Sequence, residues 1–229
     1  SDIQLYNQLS LLPEKLKKYC VGKREIYHIF LDKYERLWLT SRSDGMVIYH
    51  TKTDQLTIPE NVHDFKENKV IFDIIQNNKG QIYLAGINKI FLYDEISNKV
   101  KEMEELSALM KKENIVKYIN NVNLDSEDNL WFISKDHLLN EDLIVMYDSK
   151  QHVLKKINSN DKNINGMLKH LETIKFNTNK KLYISTNSGL IEYDARTQLF
   201  KDLQIYKTRD IEFGSGSDVW VSTDLGISK

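Results

Sequence analysis

The sequence predicts an all-β protein, a β-propeller of four-stranded antiparallel blades. Three observations support this class: one pattern recurs five times, each recurrence contains several short apolar runs, and polar turn residues separate those runs. The pattern is plainest in KKLYISTNSGLIEYDARTQLF, residues 180–200. It returns in YERLWLTSRSDGMVIYHTKTDQL, KGQIYLAGINKIFLYDEISNKV, EDNLWFISKDHLLNEDLIVMYDSKQHVL and, truncated, in GSDVWVSTDLGISK.

An aromatic residue after an aliphatic one marks the same place in all five units. The intervals between successive aromatic residues are 45, 48, 52 and 37 residues, close to the length of one propeller blade. A β-sandwich would not repeat one pattern at this period, because its strands occupy different environments. We expect the five rings to fill the core between neighbouring blades rather than to form a sugar-stacking surface. These rings are Trp38, Tyr83, Trp131, Tyr183 and Trp220.

Each unit reads as four strands joined by three turns. The first runs, IYHIFLD, VIFDII and VNLD, are mostly apolar on both faces, which predicts strands that are buried on both sides. The first turn falls at Asp32, Asn77, Asp125, Asn177 or Gly214, all residue types that favour tight turns. The fourth strand is predicted to start near Leu56, Val100, Leu154 and Phe200, each seven residues after a tyrosine.

The repeat units lie near residues 25–60, 68–104, 116–158, 170–204 and, truncated, 205–229. Residues 1–24 are predicted to contain an entering strand and a short helix in SLLPEKLKKY, with Pro13 in its first turn. A second short helix is predicted between the second and third units. There, apolar side chains recur every three or four residues among charges, at Met103, Leu106, Leu109 and Met110.

The composition argues against several classes of function. The 229 residues carry 32 basic and 33 acidic side chains, so we expect no nucleic-acid partner. We find no apolar run long enough to span a membrane and no secretory signal pattern in this sequence. Cys20 is the only cysteine, which excludes an intrachain disulfide and a cysteine-based zinc site.

The repeat resembles the two-component regulator propeller repeat, whose pattern is D-x-x-G-x-(I/L)-W-x-x-T-x-x-G-(L/I)-x-x-Y-D. Matching stretches run from Asp125 to Trp131, from Thr186 to Asp194 and from Trp220 to Ile227, and the resemblance extends over nearly all of residues 25–229. The second and fourth units depart from the pattern with Tyr in place of Trp, and the second and third lack the glycine of the turn between the second and third strands.

The resemblance implies a sensor region of a bacterial hybrid two-component histidine kinase. On this basis we expect a periplasmic sensor fragment that detects a polysaccharide-derived ligand and is not itself an enzyme. The implied partners are an oligosaccharide, the rest of the sensor region and the kinase of the same polypeptide, and a second copy in a homodimer of the full protein. We expect neither a cofactor nor a metal.

Two architectures remain open from the sequence. The chain is either a piece of a larger propeller, which the resemblance favours, or a complete small ring in which the N-terminal IQLYNQL supplies an outer strand to the last blade. In the second case it would be a protein- or glycan-binding module, or a glycosidase.

Candidate ligand-binding residues lie at one end of the predicted blades, where the second strand turns into the third. They offer mixed hydrogen-bond donors and acceptors, which suit hydroxylated or anionic ligands. The alternative is that they are solvated turn residues. The candidates are Arg42, Asp44, Asn88, Lys89, Lys135, Asp136, His137, Asn187, Ser188 and Asp224.

A glycosidase would need two carboxylates at a defined separation. Most acidic residues recur in turn positions, which predicts structural capping; examples are Asp32, Asp94, Asp125, Asp148 and Asp194. Glu192 departs from the repeat, and its place in the strand predicts a side chain that points outward. The six histidines are scattered, without a metal-binding spacing, so no catalytic residue is assigned.

Overall fold

The computed structural model describes residues 16, 26–41, 45–61, 70–115, 118–136, 141–214 and 218–229. The chain forms two compact units, Ser1–Glu102 and Met103–Lys229. The predicted entering strand, and the first predicted helix apart from Leu16, lie outside the described residues. Leu16 itself is helical and buried, and it belongs to a core cluster with Leu39, Val47 and Tyr49. The limits predicted for the individual repeats stay predictions.

The first unit contains two four-stranded antiparallel sheets, each with its strands in chain order. Blade 1 consists of β1 (Ile26–Leu31), β2 (Arg36–Ser41), β3 (Gly45–His50) and β4 (Gln55–Thr57). Blade 2 consists of β5 (Ile71–Gln76), β6 (Ile82–Gly86), β7 (Ile90–Asp94) and β8 (Lys99–Glu102).

The second unit contains three further meanders and two short helices. Helix α1 is Glu104–Lys112 and helix α2 is Lys162–Met167. Blade 3 consists of β9 (Tyr118–Leu124), β10 (Leu130–Asp136), β11 (Glu141–Asp148) and β12 (Val153–Ile157). Blade 4 consists of β13 (Leu171–Phe176), β14 (Lys181–Thr186), β15 (Leu190–Asp194) and β16 (Leu199–Asp202). Blade 5 has three strands in the described residues, β17 (Thr208–Phe213), β18 (Val219–Thr223) and β19 (Gly226–Ser228).

These sheets confirm the predicted all-β propeller class. Each blade is an antiparallel meander whose strands follow the predicted order, and the fourth strands of the first four blades begin within one residue of the predicted positions. We refer to the four strands of a blade as a, b, c and d. Consecutive strands reverse direction, so the a–b and c–d turns lie at one end of a blade and the b–c turns at the other.

The a–b turns share one backbone hydrogen bond in all five blades. In each, the N–H of the predicted turn residue donates to the carbonyl oxygen four residues later at 3.0 or 3.1 Å. The residue three positions after the turn residue has a positive φ in the first four blades, between 61° and 94°. This conformation favours glycine, which accounts for the glycine of the family pattern; only Gly80 keeps it here. The left-handed residues are Glu35, Gly80, Asp128 and Lys180.

In the first four blades the identity of the turn residue matches the ring that follows it. Asp32 Oδ2 accepts a hydrogen bond from Trp38 Nε1 at 2.8 Å, and Asp125 Oδ2 accepts one from Trp131 Nε1 at 3.0 Å. In both turns the other carboxylate oxygen accepts backbone N–H groups. The blades with Tyr use Asn instead, because one amide oxygen suffices for the backbone when no indole N–H needs an acceptor.

Four of the five recurring rings are buried, as predicted. Trp38, Tyr83, Trp131 and Tyr183 are at most 8% exposed. Rings of the following blade cover three of them edge-on, with centroid distances of 5.0 to 5.4 Å. The prediction is wrong for Trp220, which is 42% exposed. Blade 5 is the last sheet of the described part of its unit, so no following blade covers this ring there.

The prediction that the first strands are buried on both sides is also wrong for blade 1. Ile29 and Leu31 of β1 are 55% and 60% exposed. Strand a lies at one edge of its sheet, whereas strand b has a partner on either side. The continuously buried strands are therefore the b strands, such as β6 and β14.

Helix α1 confirms the amphipathic helix predicted after the second repeat. Leu106 and Met110 are buried, while acidic residues occupy its first turn and lysines its last, which suits the helix dipole. Helix α2 was not predicted. Asp161 caps it, because its Oδ1 accepts the backbone N–H of Asn163 at 2.8 Å. The available signal was a capping aspartate followed by two apolar residues three positions apart, Ile164 and Met167.

Candidate functional site

Five polar side chains meet at the b–c end of blades 4 and 5, a group that we call the Arg209 cluster: Glu172, Asn187, Lys207, Arg209 and Asp224. Arg209 Nε donates to Asp224 Oδ1 at 3.0 Å, and Arg209 Nη1 donates to Glu172 Oε1 at 2.9 Å and to Asn187 Oδ1 at 3.0 Å. Lys207 Nζ lies 3.7 Å from Asp224 Oδ2. The cluster therefore joins an a strand and a b–c turn of blade 4 to the equivalent parts of blade 5.

Backbone bulges place two of these side chains. The register of β13 against β14 shifts between Leu171 and Thr173, and that of β17 against β18 shifts between Thr208 and Asp210. Glu172 and Arg209 are the extra residues. A bulge turns a side chain away from the regular alternation of its strand, so both can reach the rim of the blades.

A buried threonine pair fixes blade 5 against the b–c turn of blade 4. Thr208 Oγ1 donates to Gly189 O at 2.9 Å and accepts from Thr186 N at 3.1 Å, and both threonines are fully buried. Gly189 is needed here because a Cβ at this position would lie 2.9 Å from Ile205 O. These contacts hold Arg209 next to Asn187.

The charges of the Arg209 cluster are balanced and open to solvent. The hydrogen bond from Arg209 holds the pKa of Asp224 below its ordinary value, and the hydrogen bond to Asp224 raises the pKa of Arg209. Arg209 is 50% exposed and Asp224 38% exposed, so these ion pairs contribute little to stability. The arrangement offers both donors and acceptors to a polar ligand.

The structure brings together two of the predicted ligand residues, Asn187 and Asp224. Ser188 lies beside Asn187 and is exposed, with its backbone N–H bound to Thr186 Oγ1. Sequence reasoning missed Glu172 and Arg209. Neither lies in a b–c turn, and the sequence carries no sign of the bulges that turn them towards one.

The other predicted residues do not join this cluster. Lys89 Nζ bonds Glu102 Oε2 at 2.6 Å, and Asn88 has a φ of 58°, so both have structural roles in the b–c turn of blade 2. Lys135 is half-buried near the end of β10. Arg42, Asp44 and His137 lie outside the described residues, as does the side chain of Asp136.

The acidic residues of the turns are structural, as their recurrence predicted. Oδ1 of Asp94, Asp148 and Asp194 accepts the backbone N–H groups two and three residues later.

The prediction for Glu192 is wrong. Its side chain does not point out to solvent: it is 14% exposed and accepts from Lys181 Nζ at 2.6 Å and Tyr183 OH at 2.9 Å.

The described ranges contain no group of three or more His, Cys, Asp or Glu side chains that could hold a metal. In the same ranges, no helix has the length and apolar character needed to cross a membrane.

The blades and the turn pattern define a β-propeller protein, and comparison with solved structures agrees. The chain is similar to the extracellular domain of BT4673 from B. thetaiotaomicron, described as a one-component system, with 18% identity and a TM-score of 0.63 over 87% of this chain. It is also similar to the extracellular domain of BT3049 from the same organism, described as a hybrid two-component system, with 14% identity and a TM-score of 0.62 over 89% of this chain. The chain spans 26% of the length of each.

A third similar structure is XC5397, a gluconolactonase from Xanthomonas campestris. It is 10% identical, with a TM-score of 0.58 over 87% of this chain and 69% of its own. No protein-family model and no curated protein matches the sequence. At these identities the likeness shows the β-propeller fold.

Proposed function

We propose that this chain is part of the periplasmic sensor region of a hybrid two-component regulator. In this role it binds a polysaccharide-derived ligand and transmits the signal to a histidine kinase elsewhere in the full protein, which acts as a homodimer. The similarity to two extracellular domains and the five repeats support the sensor role.

The Arg209 cluster is the observation that carries the ligand half of the proposal. Its guanidinium and ammonium groups, two carboxylates and one amide place donors beside acceptors along an exposed rim. A sugar ring presents hydroxyl groups that both donate and accept, so it can bond to each member in turn. A ligand of a single strong charge would instead meet a repelling partner, because both signs are present.

The test is a calorimetric titration of the purified chain with neutral and acidic oligosaccharides from plant and animal polysaccharides. For a saccharide that binds, Arg209→Gln should weaken affinity by about tenfold, since it removes a charged donor and frees its acceptors. Arg196→Gln is the control, because Arg196 is an exposed arginine at the other end of blade 4. Binding that survives Arg209→Gln unchanged, or the absence of binding to every saccharide, contradicts the assignment.

The gluconolactonase likeness favours one alternative, a propeller that hydrolyses a sugar lactone. The described residues offer no metal cluster, and the recurring turn aspartates are occupied by backbone N–H groups. A lactone hydrolysis assay on the purified chain separates the two functions. Turnover that depends on an acidic residue of this chain would favour the enzyme.

A further inference from the structure

A cavity of about 1130 Å3 opens between blades 3 and 4, which we call the turn-side cavity. It lies at the end of the a–b and c–d turns, whereas the Arg209 cluster lies at the b–c end of blade 4. The proposed saccharide site therefore makes no use of it. Its size exceeds that of a typical pocket for a small organic molecule.

The inner wall of the turn-side cavity is aromatic and apolar. Trp131 and Met146 line it from blade 3, and Phe176, Tyr193 and Phe200 line it from blade 4. The rings pack tilted or edge-on, at 5.3 Å between Trp131 and Phe176 and 4.5 Å between Tyr193 and Phe200. Phe176 and Phe200 are only partly buried, so the wall offers ring surface to a ligand.

Most acidic groups around the cavity are already occupied. Asp125 accepts hydrogen bonds from two backbone N–H groups, from the Asn129 amide and from the Trp131 indole. Asp194 accepts two N–H groups of its c–d turn, and the bond from Thr197 N holds its pKa below the ordinary value. Asp161 caps helix α2. Among the acidic residues that line the cavity, Glu127 is the exception, because its side chain is exposed.

Three cationic groups around the cavity are open. Lys155, Lys180 and Arg196 are exposed, and none of these side chains has a hydrogen-bond or ion-pair partner in the described part of the chain. Lys155 and Arg196 act on Asp148 and Asp194 only through longer-range attraction. By contrast, Lys156 and Lys181 are engaged, with Glu113 and Glu192.

We propose that the turn-side cavity is a second binding site, for an organic anion that carries an apolar ring. The ring packs on Phe176 and Phe200, and the anionic group, a carboxylate, sulfate or phosphate ester, accepts hydrogen bonds from Lys180 and Arg196. Because three cationic donors are open and every lining carboxylate except Glu127 is occupied, the site favours a ligand that accepts hydrogen bonds, which distinguishes it from the balanced Arg209 cluster.

The experiment is a fluorescence titration of the chain with 8-anilinonaphthalene-1-sulfonate, a naphthalene that carries one sulfonate. We expect saturable binding at one site, weakened about tenfold by the double substitution Lys180→Gln with Arg196→Gln. N-phenyl-1-naphthylamine, which lacks the sulfonate, should bind with equal strength to both proteins. Phenyl phosphate and benzoate should displace the probe, and their ranking identifies the preferred anion; inorganic phosphate should displace it poorly.

Arg209→Gln is the matched control, because it removes an exposed arginine at the other end of blade 4 and should leave probe binding unchanged. Amide shifts in the NMR spectrum on adding the probe should fall in residues 155–161 and 194–200. Probe binding that is unaffected by the double substitution, or amide shifts elsewhere, overturns the proposal.

The assignments of the saccharide site and of the anion site can be contradicted independently of each other. Loss of saccharide binding in Arg209→Gln alone, with the probe unaffected, supports both assignments. Loss of saccharide binding in the double variant would mean that the turn-side cavity is the saccharide site, and the inference of a separate anion site would then be wrong.

Discussion

Glu192 is a mostly buried acidic side chain of the second unit, 14% exposed, that forms an ion pair with Lys181. Burial acts to raise the pKa of Glu192, but the hydrogen bonds from Lys181 and Tyr183 together outweigh it, so its pKa lies below the ordinary value. Burial and the bond to Glu192 raise the pKa of Tyr183 to about 12. The carboxylate is therefore ionised and the phenol neutral over the physiological range, which is the combination that the observed hydrogen bonds require.

This arrangement predicts a pH dependence of stability. The pKa of Glu192 is lower in the folded than in the unfolded chain, so its contribution is fully present above the unfolded pKa of about 4.3 and is lost as the pH falls through the folded value. Glu192→Gln should lower the free energy of unfolding by about 1 kcal/mol at pH 7. The difference between the two proteins should shrink as the pH falls below about 4.

Urea unfolding at pH 7, 5, 4, 3 and 2 measures this difference. Glu212→Gln is the control, because Glu212 also pairs with a lysine but is 72% exposed. It should change stability by less than about 0.5 kcal/mol at every pH. A constant difference between wild type and Glu192→Gln across the pH range would contradict the assignment of the shift to Glu192.

The a–b turn is the element in which one residue of the sequence pattern determines both a turn and the packing of a core side chain. One aspartate at its start closes the turn with one oxygen and holds the buried indole with the other. Because a single side chain serves both the turn and the core, the turn residue and the ring change together in the first four blades, with Asp before Trp and Asn before Tyr.

Asp125→Ala should therefore lower the free energy of unfolding by about 2 to 3 kcal/mol, since it removes a backbone cap and leaves the Trp131 indole N–H without its acceptor. Asp125→Asn keeps one oxygen and should have about half that effect. Glu127→Ala, an exposed change in the same turn, should stay within about 0.5 kcal/mol. Urea unfolding measures these changes. Equal losses of unfolding free energy in Asp125→Ala and Glu127→Ala would contradict the assignment of both the turn and the indole to the Asp125 carboxylate.

Elements with a local cause could be predicted from the sequence. The turn residues, the strand order and helix α1 follow from short-range patterns, and the structure contains all of them. The exposure of Ile29 and Leu31 could not be predicted, because it depends on what packs against that face of β1 and not on the order of the strands. Trp220 obeys the repeat yet is exposed, since burial of the ring requires a following blade.

The candidate site was predictable only in part for the same reason. Asn187 and Asp224 occupy recognisable b–c turns, so the sequence identified them. Glu172 and Arg209 reach them from bulged strands, and a register shift depends on pairing between strands rather than on local composition. The turn-side cavity escaped prediction because its walls come from two consecutive blades, and the way these blades pack against each other does not follow from local composition.

At the scale of the whole molecule, the chain has separate hydrophobic clusters in its two compact units. One cluster of the first unit centres on Trp38, Ile48 and Leu84. A cluster of the second unit centres on Trp131, Ile184 and residues that join blade 3 to blade 4. Each cluster is shared between neighbouring blades, so losing one contact should weaken both blades that contribute to it.

Ile184→Ala tests whether this local sharing governs stability. Ile184 is fully buried, so its truncation should lower the free energy of unfolding by about 2 to 4 kcal/mol. Hydrogen exchange should accelerate most in β10, β11, β14 and β15, whose side chains line the same cluster, and less in β2 and β6. Ile48→Ala, a change at a 1% exposed position in blade 1, should produce the reverse distribution. If both variants accelerate exchange equally in all five blades, the clusters do not act as separate sources of stability, and the chain unfolds as one cooperative body.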